Sequence, residues 1–197
     1  MSQVAAVVLA AGGSARLGDA KQLLPYRGRA LVRHAAEVAV EAGCHPTIVV
    51  LGANADACST ELRGLPVEMA VNPSWSTGIA SSIHVGLDAI QRCGTPVDAV
   101  LFTLCDQPHV SSGILREILQ RRADCGARIV ASAYEGTLGV PALFAKELIP
   151  QLLALHGDEG ARRVIAAHGD EVVAIANRGA AFDIDTPADR GRMAADS

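Results

Sequence analysis

The chain has 197 residues, half of them apolar, and its aromatic residues are one Trp, two Tyr and three Phe. A net charge of −4 with scattered basic residues offers no long-range attraction to nucleic acid or to an anionic membrane, and so few rings leave no surface for base stacking. We therefore expect a small-molecule ligand and one aliphatic core, in a single domain over residues 1–197.

The cysteines form no CxxC pair and lie far apart, at Cys44, Cys58, Cys93, Cys105 and Cys125. This spacing predicts reduced, mostly buried thiols rather than a zinc site or a disulfide framework. The apolar start of the chain lacks a basic flank, and no run of about eighteen apolar residues follows, so a cytoplasmic protein is expected.

Continuous apolar runs predict strands buried on both faces of a parallel sheet, at residues 4–9, 47–51, 67–71, 99–104 and 128–133. Helical spacing of apolar residues occurs in 31–43 and in 113–126, and each segment closes on a glycine. Strands that alternate with helices predict a three-layer α/β/α, Rossmann-like domain with a mostly parallel sheet. From Thr137 onward we expect a loop, two short helices and a further strand.

The segment after the first run, "LAAGGSARLGDAKQLLP", is rich in small residues and reaches Arg16 and Lys21. It matches neither the P-loop, because Asp19 and Ala20 replace the Lys and hydroxyl positions, nor the GxGxxG dinucleotide fingerprint. Successive backbone N–H groups in such a loop could still wrap an anion, with both cations on its phosphates. A flexible turn with solvated charges explains the segment equally well.

Carboxylates stand at two further places. Asp106 follows a buried strand, where ligands bind in open α/β sheets and where Mg²⁺ could be held, although Asp is also a turn former. Asp183 and Asp185 are two residues apart and could face one site, while capping of a terminal helix by Asp185 or Thr186 is the alternative. The histidines show no metal spacing.

The segment "NPSWSTGIASSIHVGL" reads as a loop that enters a helix. Hydroxyls at Ser81 and Ser82 could bind a base edge or a phosphate, or could simply cap the helix. For Trp75 we expect a packing role.

Six segments in order resemble the nucleotidyltransferase superfamily, and most closely its molybdenum cofactor cytidylyltransferase branch: "LAAGGSARLGDAKQLLP", "NPSWSTGIASSIHVGL", "LCDQP", "GVPALF", "GDEGAR" and "DIDTPAD". Leu17 stands where the family usually has Met, and Val140 where it often has a polar residue. The resemblance implies a nucleotide-diphospho-sugar transferase-like fold and a dependence on Mg²⁺. It also places the segment from Asp158 to Arg162 near the acceptor, without a chemical role.

The same resemblance implies roles for particular residues. Arg16, Lys21 and Asp106 would be catalytic, and Asp106 and Asp185 would hold the metal, with Asp183 as second choice. The nucleotide would be bound by Leu9, Ala10, Ala11, Gly12, Gly13, Ser14, Arg16, Lys21, Gly78 and Ser82.

The implied reaction moves CMP from CTP to the phosphate of a molybdopterin-type cofactor, with a molybdoenzyme as candidate recipient of the product. Ala11 favours cytidylyl over guanylyl transfer, because the guanylyl branch usually has Gly there and a smaller residue would leave room for a larger base. Two alternatives stay open: a cytidylyltransferase for a sugar or polyol phosphate such as methylerythritol phosphate, and a non-catalytic carrier or insertion chaperone for the molybdenum cofactor.

Overall fold

A computed structural model describes residues 3–13, 20–184 and 186–195. The strands are β1 Val4–Ala10, β2 Pro25–Tyr26, β3 Arg29–Ala30, β4 Thr47–Leu51, β5 Glu68–Val71, β6 Ala99–Leu104, β7 Ile129–Tyr134, β8 Thr137–Ala145 and β9 Val172–Ala176. The α-helices are α1 Leu31–Glu41, α2 Ala55–Glu61, α3 Ile79–Arg92, α4 Ser112–Cys125, α5 Ile149–Leu153, α6 Ala161–His168 and α7 Pro187–Ala195.

The main sheet of the described chain has the order β5-β4-β1-β6-β8-β7-β9, and all of its neighbouring pairs are parallel except the two that involve β8. Beside it, β2 and β3 form a short antiparallel pair. Each predicted strand appears in the sheet, with bounds that shift by one residue at β1, β5 and β7.

Side chains of the sheet alternate between two hydrophobic clusters, one on each face. In β1, Val4, Ala6 and Val8 pack on the face covered by α1, α2 and α4, whereas Ala5 and Val7 pack on the face covered by α3, α5 and α6. A strand covered on both faces needs apolar residues at every position, which explains its unbroken apolar run. The predicted three-layer, mostly parallel α/β/α architecture is therefore confirmed.

The prediction of a loop from Thr137 was wrong, because residues 137–145 form β8, which lies antiparallel between β6 and β7. Glu135 and Gly136 join β7 to β8 with φ values of +48° and +74°, the positive angles of a tight two-residue hairpin. The ladder is interrupted near Pro141, which has no N–H, and the Ser132 hydroxyl donates to the Pro141 carbonyl at 2.8 Å. The two short helices and the strand β9 that follow confirm the rest of the prediction.

The chain order places the carboxyl ends of β1 and β6 side by side. From β1 the chain proceeds outward through β4 and β5, then returns to add β6 on the other side of β1. The crevice at such a reversal is where open α/β sheets bind ligands. Among the described helices, none combines the length and the apolar character needed to cross a membrane.

Candidate active site

A cleft of about 360 Å³ opens at the carboxyl ends of β1 and β6. Its walls are formed by Leu9, Ala10, Ala11, Gly12, Gly13, Lys21, Gln22, Trp75, Ser76, Gly78, Ile79, Ser82, Leu104, Cys105, Asp106 and Asp158. This set contains every described residue that the resemblance assigned to catalysis or to nucleotide binding, whereas Ser81 and Asp183, the second choice for the metal, are not part of it. The predictions for Ser14, Arg16 and Asp185 lie outside the described residues.

The glycine-containing loop after β1 is held from two sides. The Ala11 carbonyl accepts the Ala53 N–H at 3.2 Å, and a Cβ built on Gly52 would lie 2.3 Å from that carbonyl oxygen, so the backbones touch. On the other side a Cβ on Gly13 would lie 2.7 Å from the Trp75 ring. The absence of side chains at 52 and 13 therefore lets the loop fit between its neighbours, and Trp75 has the packing role expected for it.

Lys21 and Asp106 meet across the cleft although 85 residues separate them in the chain. The Lys21 ammonium nitrogen lies 2.5 Å from Asp106 Oδ2, and the two side chains are 17% and 15% exposed. Lys21 begins the one-turn 3-10 helix Lys21–Leu23, and Asp106 stands at the second position after β6. The pair places one positive and one negative charge in a partly dehydrated site, where charges interact more strongly than in bulk water.

The opposite wall is built on the start of α3. The buried Asn72 side chain donates to Ser81 Oγ at 2.8 Å and to Ser82 Oγ at 3.0 Å, so both predicted hydroxyls are fixed in place. Gly78 has φ +116°, and a Cβ there would lie 2.1 Å from the Gly157 carbonyl oxygen. That carbonyl also accepts the Ala80 N–H at 3.1 Å, which brings the exposed Asp158 to the rim of the cleft.

The C-terminal segment passes directly beside Asp106. The Ile184 N–H donates to the Asp106 carbonyl at 3.1 Å, and Gln107 Nε2 donates to the Ala180 carbonyl at 3.1 Å. The Phe182 ring stacks on the His109 ring with centroids 4.8 Å apart. These contacts bring the backbone on either side of the exposed Asp183 to the aspartate of the cleft.

Capping of α7 falls to Thr186 and Asp189. The Thr186 N–H and hydroxyl donate to Asp189 Oδ2 at 2.8 and 2.7 Å, and the Asp189 N–H returns to the Thr186 hydroxyl at 3.3 Å. Pro187 begins the helix, where its missing N–H has no consequence. This is a reciprocal capping box, so the capping alternative is realised at Thr186.

The donor chemistry of the cleft fits a hard divalent cation at one carboxylate. No group of three or more His, Cys, Asp or Glu side chains converges within the part of the chain that the structure describes. Mg²⁺ is nevertheless commonly held by one or two carboxylates together with substrate phosphates, and the carboxylate of Asp106 in the cleft could be such a ligand. Cys105 beside it is buried, and burial, followed by the Asp106 charge, raises the pKa of its thiol well above the ordinary value, so it stays a neutral wall residue.

Comparison with known proteins identifies the class of protein to which this chain belongs. The fold is that of nucleotidyltransferases with the nucleotide-diphospho-sugar transferase architecture. Residues 6–172 match the MobA-like NTP transferase domain, and the chain belongs to that family.

The names of the relatives describe different functions. The chain is 38% identical to nicotine blue oxidoreductase of Paenarthrobacter nicotinovorans, over 81% of this chain and 79% of that protein. It is 25% identical to the molybdenum cofactor cytidylyltransferase of Escherichia coli, over 96% of this chain and 94% of that protein. The crystal structure of Rv0371c from Mycobacterium tuberculosis superposes with a TM-score of 0.82 at 32% identity, covering 98% of this chain and 97% of that one. A manganese complex of Rv0371c is also known.

Sequence reasoning gave no site role to Gln22, which the structure places at the cleft. Gln22 stands between a lysine and a leucine in a segment without periodicity, so no pattern distinguishes it from a solvated glutamine. The resemblance did place Asp158 near a substrate, but only the contact between Gly78 and Gly157 brings it to the rim of this cleft.

Proposed function

We propose that this protein transfers CMP from CTP to the phosphate of a molybdopterin-type cofactor and releases pyrophosphate. The observation that carries the proposal is the Lys21–Asp106 contact in a cleft that is also lined by the glycine-containing loop. The similarity to a molybdenum cofactor cytidylyltransferase over 96% of the chain supports the choice of substrates.

Binding of the triphosphate would rearrange the charges of the pair. A Mg²⁺ ion held by Asp106 and by the predicted Asp185 would supply neutralisation of phosphate charge. Lys21, whose ammonium nitrogen contacts Asp106 at 2.5 Å, would then turn to the phosphate oxygens as a compact cation. Arg16 is proposed as a second phosphate ligand, with the planar fork that suits phosphate oxygens.

In the remaining steps the cleft would position the nucleotide and the acceptor relative to each other. The N–H groups of the loop from Ala10 to Gly13 would face the phosphates, and the wall formed by Gly78 and Ser82 would hold the base. An acceptor phosphate is already ionised near neutral pH, so its oxygen can attack the α-phosphorus without a general base. The P–O bond to pyrophosphate breaks as the new P–O bond forms, and the enzyme stabilises the charge that develops.

The test is pyrophosphate release with each nucleoside triphosphate, with and without molybdopterin. We expect release only with CTP, acceptor and a divalent cation together. Release with a sugar or polyol phosphate in place of molybdopterin would reassign the acceptor. Binding of the cofactor without release would instead indicate a carrier.

Asp106→Ala is expected to abolish cation-dependent turnover while the protein stays folded, because the substitution removes the carboxylate that contacts Lys21 in the cleft and that we propose as a metal ligand. Asp98→Ala, which removes a carboxylate on the far end of β6, serves as the matched control for turnover. Undiminished activity of the Asp106 variant would refute its assignment.

Ala11→Gly tests the choice of base. If the methyl group limits the space for the base, the variant will use GTP better relative to CTP than the wild type does. An unchanged ratio of the two turnover rates would refute the steric explanation.

A further inference from the structure

We infer that Gln22 is a positioning residue that holds the glycine-containing loop in the conformation that binds the triphosphate. The inference rests on the proposed function, because it concerns the same cleft. The side chain of Gln22 would contact the loop carbonyls and not the phosphates themselves.

Gln22 lies under the loop with only 1% of its surface exposed. Its Nε2 donates to the Ala10 carbonyl at 3.1 Å and also to the Gly12 carbonyl. Its Oε1 accepts from Asn54 Nδ2 at 3.5 Å, at the start of α2. A buried amide group with partners on both of its ends has one preferred orientation, because any flip would leave donors facing donors.

The two carbonyls determine which way the loop amides point. In a planar trans peptide the C=O of one residue and the N–H of the next point in opposite directions. Fixing the Ala10 and Gly12 carbonyls toward Gln22 therefore fixes the N–H groups of Ala11 and Gly13 away from it. Both residues line the cleft, so these N–H groups belong to the surface that would receive phosphate oxygens.

Gln22 also relates the loop to the charged pair. It follows Lys21 in the same one-turn helix, so the backbone that carries the ammonium group is tied by the next side chain to the loop carbonyls. Gln22 thus links the loop to Lys21 and sets the distance between the loop and the Lys21–Asp106 pair. A triphosphate that touches the loop and Lys21 together requires that spacing.

Only an amide can make this arrangement. Glutamate at 22 would place a carboxylate oxygen against two carbonyl oxygens, and methionine would fill the volume but donate nothing. Both substitutions are close to glutamine in size, so each removes the donor without opening a large cavity.

The experiment compares wild type, Gln22→Met, Gln22→Glu and the control Gln91→Glu, which makes the same charge change on the exposed side of α3. Equilibrium binding of CTP and of CMP is measured with Mg²⁺ present, and steady-state kinetics give KM and kcat. We expect both Gln22 variants to bind CTP at least about tenfold more weakly, with KM for CTP raised and kcat much less affected. Binding of CMP should change less, because CMP lacks the β- and γ-phosphates.

A role in stability alone would lower the thermal midpoint while leaving CTP affinity and the CTP-to-CMP ratio intact, and that result would overturn the inference. If either variant fails to fold, Gln22→Asn keeps an amide that is one methylene too short to reach both carbonyls, and the same loss of CTP affinity is expected. Transfer activity separates the two proposals: a wild type that binds CTP but transfers nothing refutes the proposed reaction and leaves the binding test of Gln22 valid. A wild type that binds no nucleotide overturns both.

Discussion

Replacement of Gly78 by alanine should distort the wall of the cleft that Gly78 and Ser82 form and should lower the stability of the whole chain. Gly78 has φ +116° and ψ +166°, a region of backbone space that is essentially restricted to glycine. An added Cβ would lie 2.1 Å from the Gly157 carbonyl oxygen and 2.7 Å from the Asp158 nitrogen. Both neighbours are backbone atoms, so neither can move aside by a side-chain rotation.

Two contributions set the magnitude. The unfavourable backbone conformation costs roughly 1–3 kcal/mol for a residue with a Cβ. Displacing the Gly157 carbonyl also removes the hydrogen bond from the Ala80 N–H, which contributes about 1 kcal/mol. Gly78→Ala should therefore lower the free energy of unfolding by roughly 2–4 kcal/mol.

The assay is reversible denaturant unfolding of the two proteins under the same conditions. Gly113→Ala is the control, because Gly113 lies in the first turn of α4 and its added Cβ would meet Ser111 Oγ at an ordinary contact distance of 3.6 Å. The control should be neutral or stabilising by up to about 1 kcal/mol. A Gly78→Ala protein within about 0.5 kcal/mol of wild type would refute the reasoning.

Two further predictions concern titratable groups. Native protein should react with a maleimide at the exposed Cys93 and Cys125 but not at the buried Cys44, Cys58 or Cys105. Burial raises the pKa of the Cys44 thiol to about 12 and that of the Cys58 thiol to about 11, so little reactive thiolate forms at either residue. Rapid labelling of Cys105 in the native protein, measured by mass spectrometry, would contradict this prediction. Burial lowers the pKa of His34 below its ordinary 6.5, so the unfolded chain takes up the proton first as pH falls below about 6.5 and the free energy of unfolding decreases. His34→Gln should flatten that slope in unfolding measured between pH 7 and 5, and an unchanged slope would exclude His34 as its source.

The sheet could be predicted where local pattern and tertiary environment agree. In β1 both faces are covered by helices, so every position is apolar and the run is visible in the sequence. In β8 the local pattern and the tertiary environment disagree, because Gly139 and Pro141 interrupt the pattern of a strand. Its pairing with β6 and β7 outweighs that local preference, and no local signal shows this.

The same distinction applies to the cleft. Asp106 and the loop after β1 could be located because each follows a buried strand, and the carboxyl ends of neighbouring parallel strands meet at one edge of a sheet. The contact of Lys21 with Asp106, the clamp of Gln22 on the loop and the approach of Gly157 to Gly78 join distant parts of the chain. Such contacts depend on tertiary packing, for which the spacing of residues carries no signal.

The most direct measurement of nucleotidyl transfer follows a label placed at the α-phosphorus of CTP. Wild-type protein with Mg²⁺ and molybdopterin should move the label into the cofactor, release unlabelled pyrophosphate in equal amount, and lose both products on Asp106→Ala. No incorporation of label from CTP or any other nucleoside triphosphate into a molybdopterin-type acceptor, by protein that binds both, would contradict the proposed reaction.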